Sequence, residues 1–224
     1  FAKDTYPTYN GKIIGIASNY NVPVLLIRDT NDTSEMTQTR CEPMGDLTNQ
    51  LFFSELADPN NNTKARFIEL YNASGKTLDL TGWTIKRYTN DNTISTASID
   101  LTGNSIAIDK TFVIAVNATE FKTVFGFEPD LVGATNGPAG SNGDDTIELL
   151  DPNGMVIDIF GVIGEDGSGT NHEFEDGRAL RNTSVTHGNP NYTFSEWQLW
   201  NDTGAAGTTN TPQNAPEDFT PGVR

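Results

Sequence analysis

The sequence of 224 residues holds one cysteine, Cys41, and two histidines, His172 and His187. A lone cysteine rules out a disulfide or a cysteine-based metal cluster within the chain, so an oxidising compartment is neither required nor excluded. Basic residues are also scarce: 14 Lys and Arg face 30 Asp and Glu, a formal charge of −16. A surface of that sign repels phosphate backbones and anionic membranes, so direct nucleic-acid binding is disfavoured. No apolar run approaches the roughly 20 residues that span a bilayer, and no signal peptide is visible. A start at Phe1 without methionine reads as a mature or trimmed piece of a larger protein.

What the chain has in quantity is Gly, Asn, Thr and Asp, with aromatic and branched aliphatic residues spread thinly throughout. That mixture suits many short strands joined by long loops. Residues 11–29 read as a β-hairpin, with a turn at Ser18-Asn19-Tyr20-Asn21. Strands are predicted at Leu51–Leu56, Ala65–Tyr71, Thr84–Tyr88, Ile94–Leu101, Ser105–Ile108, Phe112–Val116, Thr146–Leu150 and Met155–Phe160. In the second of these, Phe67 and Glu69 alternate with Ile68 and Leu70, which predicts a sheet with one buried face. One short helix is predicted after Asn117, with Glu120 at the capping-box spacing, an apolar face of Phe121, Val124 and Phe125, and Gly126 as its stop. Asp151-Pro152-Asn153-Gly154 has the residues of a tight hairpin turn.

The segment Phe67-Ile68-Glu69-Leu70-Tyr71-Asn72, then Ser74-Gly75, then Leu78-Asp79-Leu80-Thr81-Gly82-Trp83, resembles the signature of the lamin tail domain. Strand, short helix and Gly at 112–126 are similar to bacterial members, as are the late hairpin at 144–161 and the closing Arg181 and Trp197. The resemblance implies an all-β fold: an immunoglobulin-like two-sheet sandwich with one short helix, here with an extra N-terminal β-hairpin. Three segments are expected: 1–49, a hairpin segment that packs on the sandwich or is the remnant of a preceding β domain; 50–200, the sandwich; and 201–224, a polar tail, mobile or surface-bound.

The resemblance further implies a non-catalytic interaction or attachment module of a larger secreted or cell-surface bacterial protein. Such a parent would be extracellular, a lipoprotein or a secreted multidomain protein, with a protein or a cell-surface glycan as partner. An alternative is a carbohydrate- or calcium-dependent ligand-binding domain; a third is an accessory part of an exported nuclease- or phosphatase-type hydrolase. Asp58, Asn60 and Asn62 stand at alternating positions that echo a calcium loop, although the glycine such a loop needs is missing. Asp166 and Glu173 offer hard oxygen donors in a second acidic loop. Trp197 and Trp200 are candidate sugar-stacking platforms, whereas Trp83 is expected in the core. No cofactor is implied beyond that calcium.

Catalysis finds little footing. Both histidines are expected to be exposed loop residues, and no Gly-x-Ser-x-Gly elbow or His-Glu-x-x-His motif accompanies them. Glu55 and Glu69 form the most interesting carboxylate pair, since both fall in predicted strands. Glu69 is expected to accept hydrogen bonds from loop backbone or from a basic side chain. The Gly-rich run 137–143 lacks the residues of a phosphate cradle and reads as a flexible loop.

Overall fold

The computed structural model describes residues 12–19, 21–37 and 45–224. The chain divides into two compact units, 1–44 and 45–224. In the first, β1 (Ile16–Asn19) and β2 (Pro23–Leu26) pair antiparallel, with Asn19 opposite Pro23. A 3₁₀ turn follows at Thr30–Thr33, opened by the Asp29 carboxylate, which accepts from the Asn31 N–H. Arg28 closes on Asp32 at 2.6 Å and holds that carboxyl down at about 2. Cys41, the lone thiol, lies outside the described residues.

The second unit contains β3 (Leu51–Ala57), β4 (Phe67–Asn72), β5 (Leu78–Asp79), β6 (Thr84–Tyr88), β7 (Ala97–Asp100), β8 (Ser105–Ile106) and β9 (Thr111–Ala115). The helix α1 (Ala118–Phe125) comes next, then β10 (Leu131–Val132), β11 (Thr146–Leu150), β12 (Val156–Phe160), β13 (Arg178–Arg181), β14 (Trp197–Asn201) and β15 (Thr209–Asn210). The larger sheet runs β10-β9-β4-β3-β13-β14-β15 and the smaller β12-β11-β6-β7, while β5 and β8 pair as a short ribbon. Every pairing is antiparallel except the outermost two of the larger sheet, where β10 lies parallel to β9 and β15 parallel to β14.

Between the sheets lies an apolar core. Phe53, Leu56, Ile68, Leu70 and Ile114 come from the larger sheet and Ile85, Ile147, Leu149 and Phe160 from the smaller. These are alternate positions of each strand, as a period of two requires, except on β3, where a register shift puts both Phe53 and Leu56 in the core. Trp83 is fully buried among them, and its indole N–H donates to the Asp46 carbonyl at 2.9 Å. The turn before it depends on Gly82, whose φ of +81° is in the left-handed region and whose Cα faces Pro152.

The reverse face of the larger sheet is buried as well, against the expectation of one covered face. Ala57, Phe67, Val113 and Ala115 meet Phe121 of α1 and, from the last residues of the chain, Ala215 and Phe219. The Phe67 ring lies edge-on to Phe121 at 5.8 Å, Phe125 at 5.6 Å and Phe219 at 6.2 Å. Alternation reports which residues share a face; it does not report whether a later segment covers that face. Residues 213–224 supply the cover and form a strap across the sheet.

The ends of α1 follow from its sequence. The Asn117 side chain accepts from the Glu120 N–H at 3.0 Å, and Gly126 closes the helix at φ +86°. The Glu120 carboxylate does not complete the capping box; it accepts from the Asn62 amide at 2.7 Å and so ties α1 to the β3–β4 loop. Residues 137–141, expected as part of a flexible loop, are buried instead. Pro138–Gly140 forms a 3₁₀ turn, with Ala139 in the core and the Gly140 carbonyl accepting from Arg66. A side chain at Gly140 would collide with the Thr135 carbonyl, so the small residues serve close packing.

Asn72 shows why the Tyr-Asn-x-Ser-Gly run has its composition. Its buried amide donates to the carbonyls of Lys76, Ile106 and Ala107 at 2.7–3.0 Å, while its oxygen accepts from the Ser74 N–H. One side chain therefore satisfies backbone groups of the turn and of the β8 region together. Asn72→Ala is expected to lower stability by about 2 kcal/mol, because buried carbonyls lose their donor. Urea unfolding with an unchanged m-value would record it.

Candidate functional site

The most unusual chemistry lies beneath the strap. On β3 the register shifts between Phe53 and Glu55, a bulge that brings both Ser54 and Glu55 to the strap side while Phe53 and Leu56 stay in the core. Glu55 pairs with Glu69 across β3 and β4, so two carboxyl groups share a buried face. Glu69 accepts from Ser54 Oγ at 2.7 Å and from the Gly222 N–H at 2.6 Å. Glu55 accepts from Thr220 Oγ1 at 3.1 Å and from the Thr220 N–H, with Arg178 Nη1 at 3.4 Å. Arg178 also donates to the Asp218 carbonyl and stacks over Trp200 at 5.0 Å.

Burial raises both acids: Glu55 to about 7, with Arg178 and Thr220 opposing the rise, and Glu69 to about 8, with Ser54 and Gly222 opposing it and the Glu55 charge adding to it. A cavity of about 220 Å³ adjoins Glu69, lined also by Ser54, Arg181, Thr220, Val223 and Arg224. The Arg224 guanidinium sits over Phe52 and Tyr71 and donates to the Asn182 and Val185 carbonyls. Glu69 thus has the loop-backbone partner its sequence position predicts. The arrangement binds the strap to the sheet.

It also sets a pH dependence. Each acid sits above its unfolded value of 4.5, so the folded state holds protons that the unfolded chain has released. Their contribution is complete below about pH 4.5 and is lost as pH rises through about 7 and about 8. The expected slope is up to about 1.4 kcal/mol per pH unit for each proton involved. Melting temperature should fall between pH 5 and about pH 8, and Glu69→Gln should flatten that fall. A wild-type profile that rises over this interval would contradict the assignment.

The other sequence candidates lie elsewhere. Asp58, Asn60 and Asn62 each have partners of their own within the fold. Its Oδ1 holds Arg66 Nε at 2.5 Å and its Oδ2 accepts from the Asp176 N–H. Asn62 caps the 3₁₀ turn Thr63–Ala65, and Asn60 is exposed with its N–H on the Gln213 carbonyl. The stretch with the calcium-like spacing forms a turn closed by an arginine. Asp166 and Glu173 are likewise apart in role: exposed Asp166 accepts from the Ser168 N–H and the Asn90 amide, whereas buried Glu173 accepts from Asn201 and Thr203. Among the described residues, no group of three or more His, Cys, Asp or Glu is arranged to hold a metal ion.

Trp197 and Trp200 cannot share a sugar platform. Three residues apart on a strand, they point to opposite faces. Trp197 is 5% exposed, edge-on to Phe160 at 5.0 Å and under the Arg181 guanidinium at 4.5 Å. Trp200 is half-buried with Arg178 on its ring.

His172, expected in an exposed loop, is buried: its Nδ1 meets Thr170 Oγ1 at 2.9 Å, its ring lies edge-on to Tyr192, and burial lowers its pKa. His187 is exposed. Neither histidine is among the residues lining the cavity beside Glu69. Sequence reasoning missed the strap, the bulge and the Asp158–Arg181 pair that joins β12 to β13, at 3.1 Å. The only hints were Ala215 and Phe219, isolated in a polar stretch.

Among the described residues no helix is long and apolar enough to cross a membrane. No curated protein matches the chain. The family model of the lamin tail domain matches residues 47–164, just over half of the sequence, from the residues before β3 to those after β12. With its two-sheet sandwich and that match, the chain belongs to the lamin tail domain family, whose members are immunoglobulin-like, non-catalytic modules.

Proposed function

We infer that the chain is an interaction or attachment module of a larger secreted or cell-surface bacterial protein, holding that protein to an extracellular protein or to a glycan of the envelope. The observation that carries this reading is the use of the chain's unusual ionisable groups. Glu55, Glu69, Asp58 and Asp158 are all held by arginines, hydroxyls or backbone N–H groups of the fold itself. A fold that commits its buried acids to its own architecture recognises other molecules through its periphery, where loops and edges are offered. The acidic surface suits such a role outside the cell, since it resists adhesion to anionic polymers and lipids.

The test uses the chain fused to a fluorescent protein and applied to intact bacterial cells. Saturable retention is expected, competed by unlabelled chain and unaffected by calcium chelation. Retention that vanishes with chelator, together with calcium-dependent signals on a glycan array, would replace this reading with the ligand-binding alternative. Turnover of phosphoesters, nucleic acids or glycosides above buffer would replace it with the hydrolase.

A further inference from the structure

Two arginines line the cavity of about 220 Å³ beside Glu69, and each keeps a buried N–H donor without an acceptor among the described residues. The donors are Arg181 Nε and Arg224 Nη1. Arg181 uses its other two nitrogens on Asp158 and Glu196. Arg224 reaches only carbonyls, those of Asn182 and Val185, both through Nη2, and among the described residues it forms no salt bridge. The guanidinium groups of Arg224 and Arg181 lie 4.8 and 5.8 Å from the centre of one ring, that of Phe52. Burial first, and the Arg181 charge with it, lower the pKa of Arg224. A buried N–H without an acceptor is costly, and two like charges beside one ring add to the cost. An anion in the cavity relieves both.

The rest of the lining says what that anion carries. It is mainly apolar, with Leu180 on one side and Val223 on the other. Thr183 and Val223 are exposed and stand at the mouth. A bare inorganic ion loses its hydration on such a surface without return, whereas an acyl chain gains by burial. An apolar cavity of roughly 150 Å³ holds benzene. The present one therefore has room for a carboxylate on a chain of about four to six carbons. Glu69, the one acid of the lining, is held protonated up to about pH 8 by burial, so it does not repel an anion at neutral pH.

We propose that this cavity is a binding site for a short-chain aliphatic carboxylate, its head held by Arg181 and Arg224 and its chain lying against Leu180 and Val223. Such a site goes beyond the reading of the chain as an attachment module and does not depend on it. Occupancy would also tie the end of the strap to β13, since Val223 and Arg224 belong to the one and Leu180 and Arg181 to the other.

The experiment follows the amide signals of Thr220 and Gly222 by heteronuclear NMR as ligands are added to the full chain at about pH 6.5, where Glu69 is uncharged. Hexanoate is expected to shift them saturably. Acetate, which buries no chain, and hexanamide, which carries no charge, should each bind at least about tenfold more weakly. Inorganic phosphate should compete poorly. Arg224→Gln should abolish the preference for hexanoate over hexanamide. Thr183→Trp alters an exposed position at the mouth and should weaken hexanoate about tenfold at unchanged melting temperature. It decides the matter if the first variant fails to fold. Equal affinity for hexanoate and hexanamide, phosphate binding as tight as hexanoate, or hexanoate binding indifferent to Thr183→Trp overturns the site. So does the absence of any saturable shift, which would leave the two N–H groups to water alone. Retention of the fusion on cells is independent of all these outcomes, so the site and the attachment reading can fail separately.

Discussion

Arg181→Ala is expected to cost about 3–5 kcal/mol, because it strands a buried charge. Asp158 has no solvent exposure, and Arg181 is 2% exposed. Arg181 Nη1 reaches both Asp158 oxygens at 3.1 Å, Nη2 reaches Glu196 at 2.6 Å, and the Phe53 and Asn189 N–H groups also donate to Asp158. This group of contacts joins β12 of the smaller sheet to β3 and β13 of the larger. Burial raises Asp158 to about 6 even with the arginine present. Without it the carboxyl takes up a proton still more readily, so the deficit should be smaller at pH 5 than at about pH 8. A fall in Tm of roughly 10 °C near neutrality, recorded by calorimetry, is the expected result. A loss under about 1 kcal/mol at both pH values would show that the pair is dispensable.

Phe219→Ala should follow closely, at about 3 kcal/mol, from loss of apolar burial and the cavity left against Phe67. It should act locally first. Without its aromatic anchor the strap opens more often, and the amides of Thr220 and Gly222, which donate to Glu55 and Glu69, should exchange faster than those of β4. Hydrogen exchange resolved by residue would show this. Uniform acceleration over the whole sandwich would mean instead that strap and sheets unfold as one unit.

The strands around Trp83, the helix and the late hairpin were legible because alternation, capping residues and turn residues are local properties. Asn117, Gly126 and the Asp151–Gly154 turn act within a few residues of where they stand. Whether the Phe67–Glu69 face meets water is decided by residues near 219, some 150 positions on, and no local pattern carries that information. The bulge at Ser54 was hidden for a related reason: one inserted residue shifts two polar side chains to one face without leaving a compositional mark. His172 is buried by Tyr192, a long-range contact again. The tryptophans are different. A separation of three on a strand already assigns Trp197 and Trp200 to opposite faces, so that correction was available from spacing alone.

The larger sheet is flanked at both margins by two-residue parallel strands, Leu131–Val132 and Thr209–Asn210. Such stubs leave no long row of free donors and acceptors on which a second molecule could zip up. Even concentrated, the protein has little means of stacking into fibres through that sheet, and like-charge repulsion between neighbours works in the same direction.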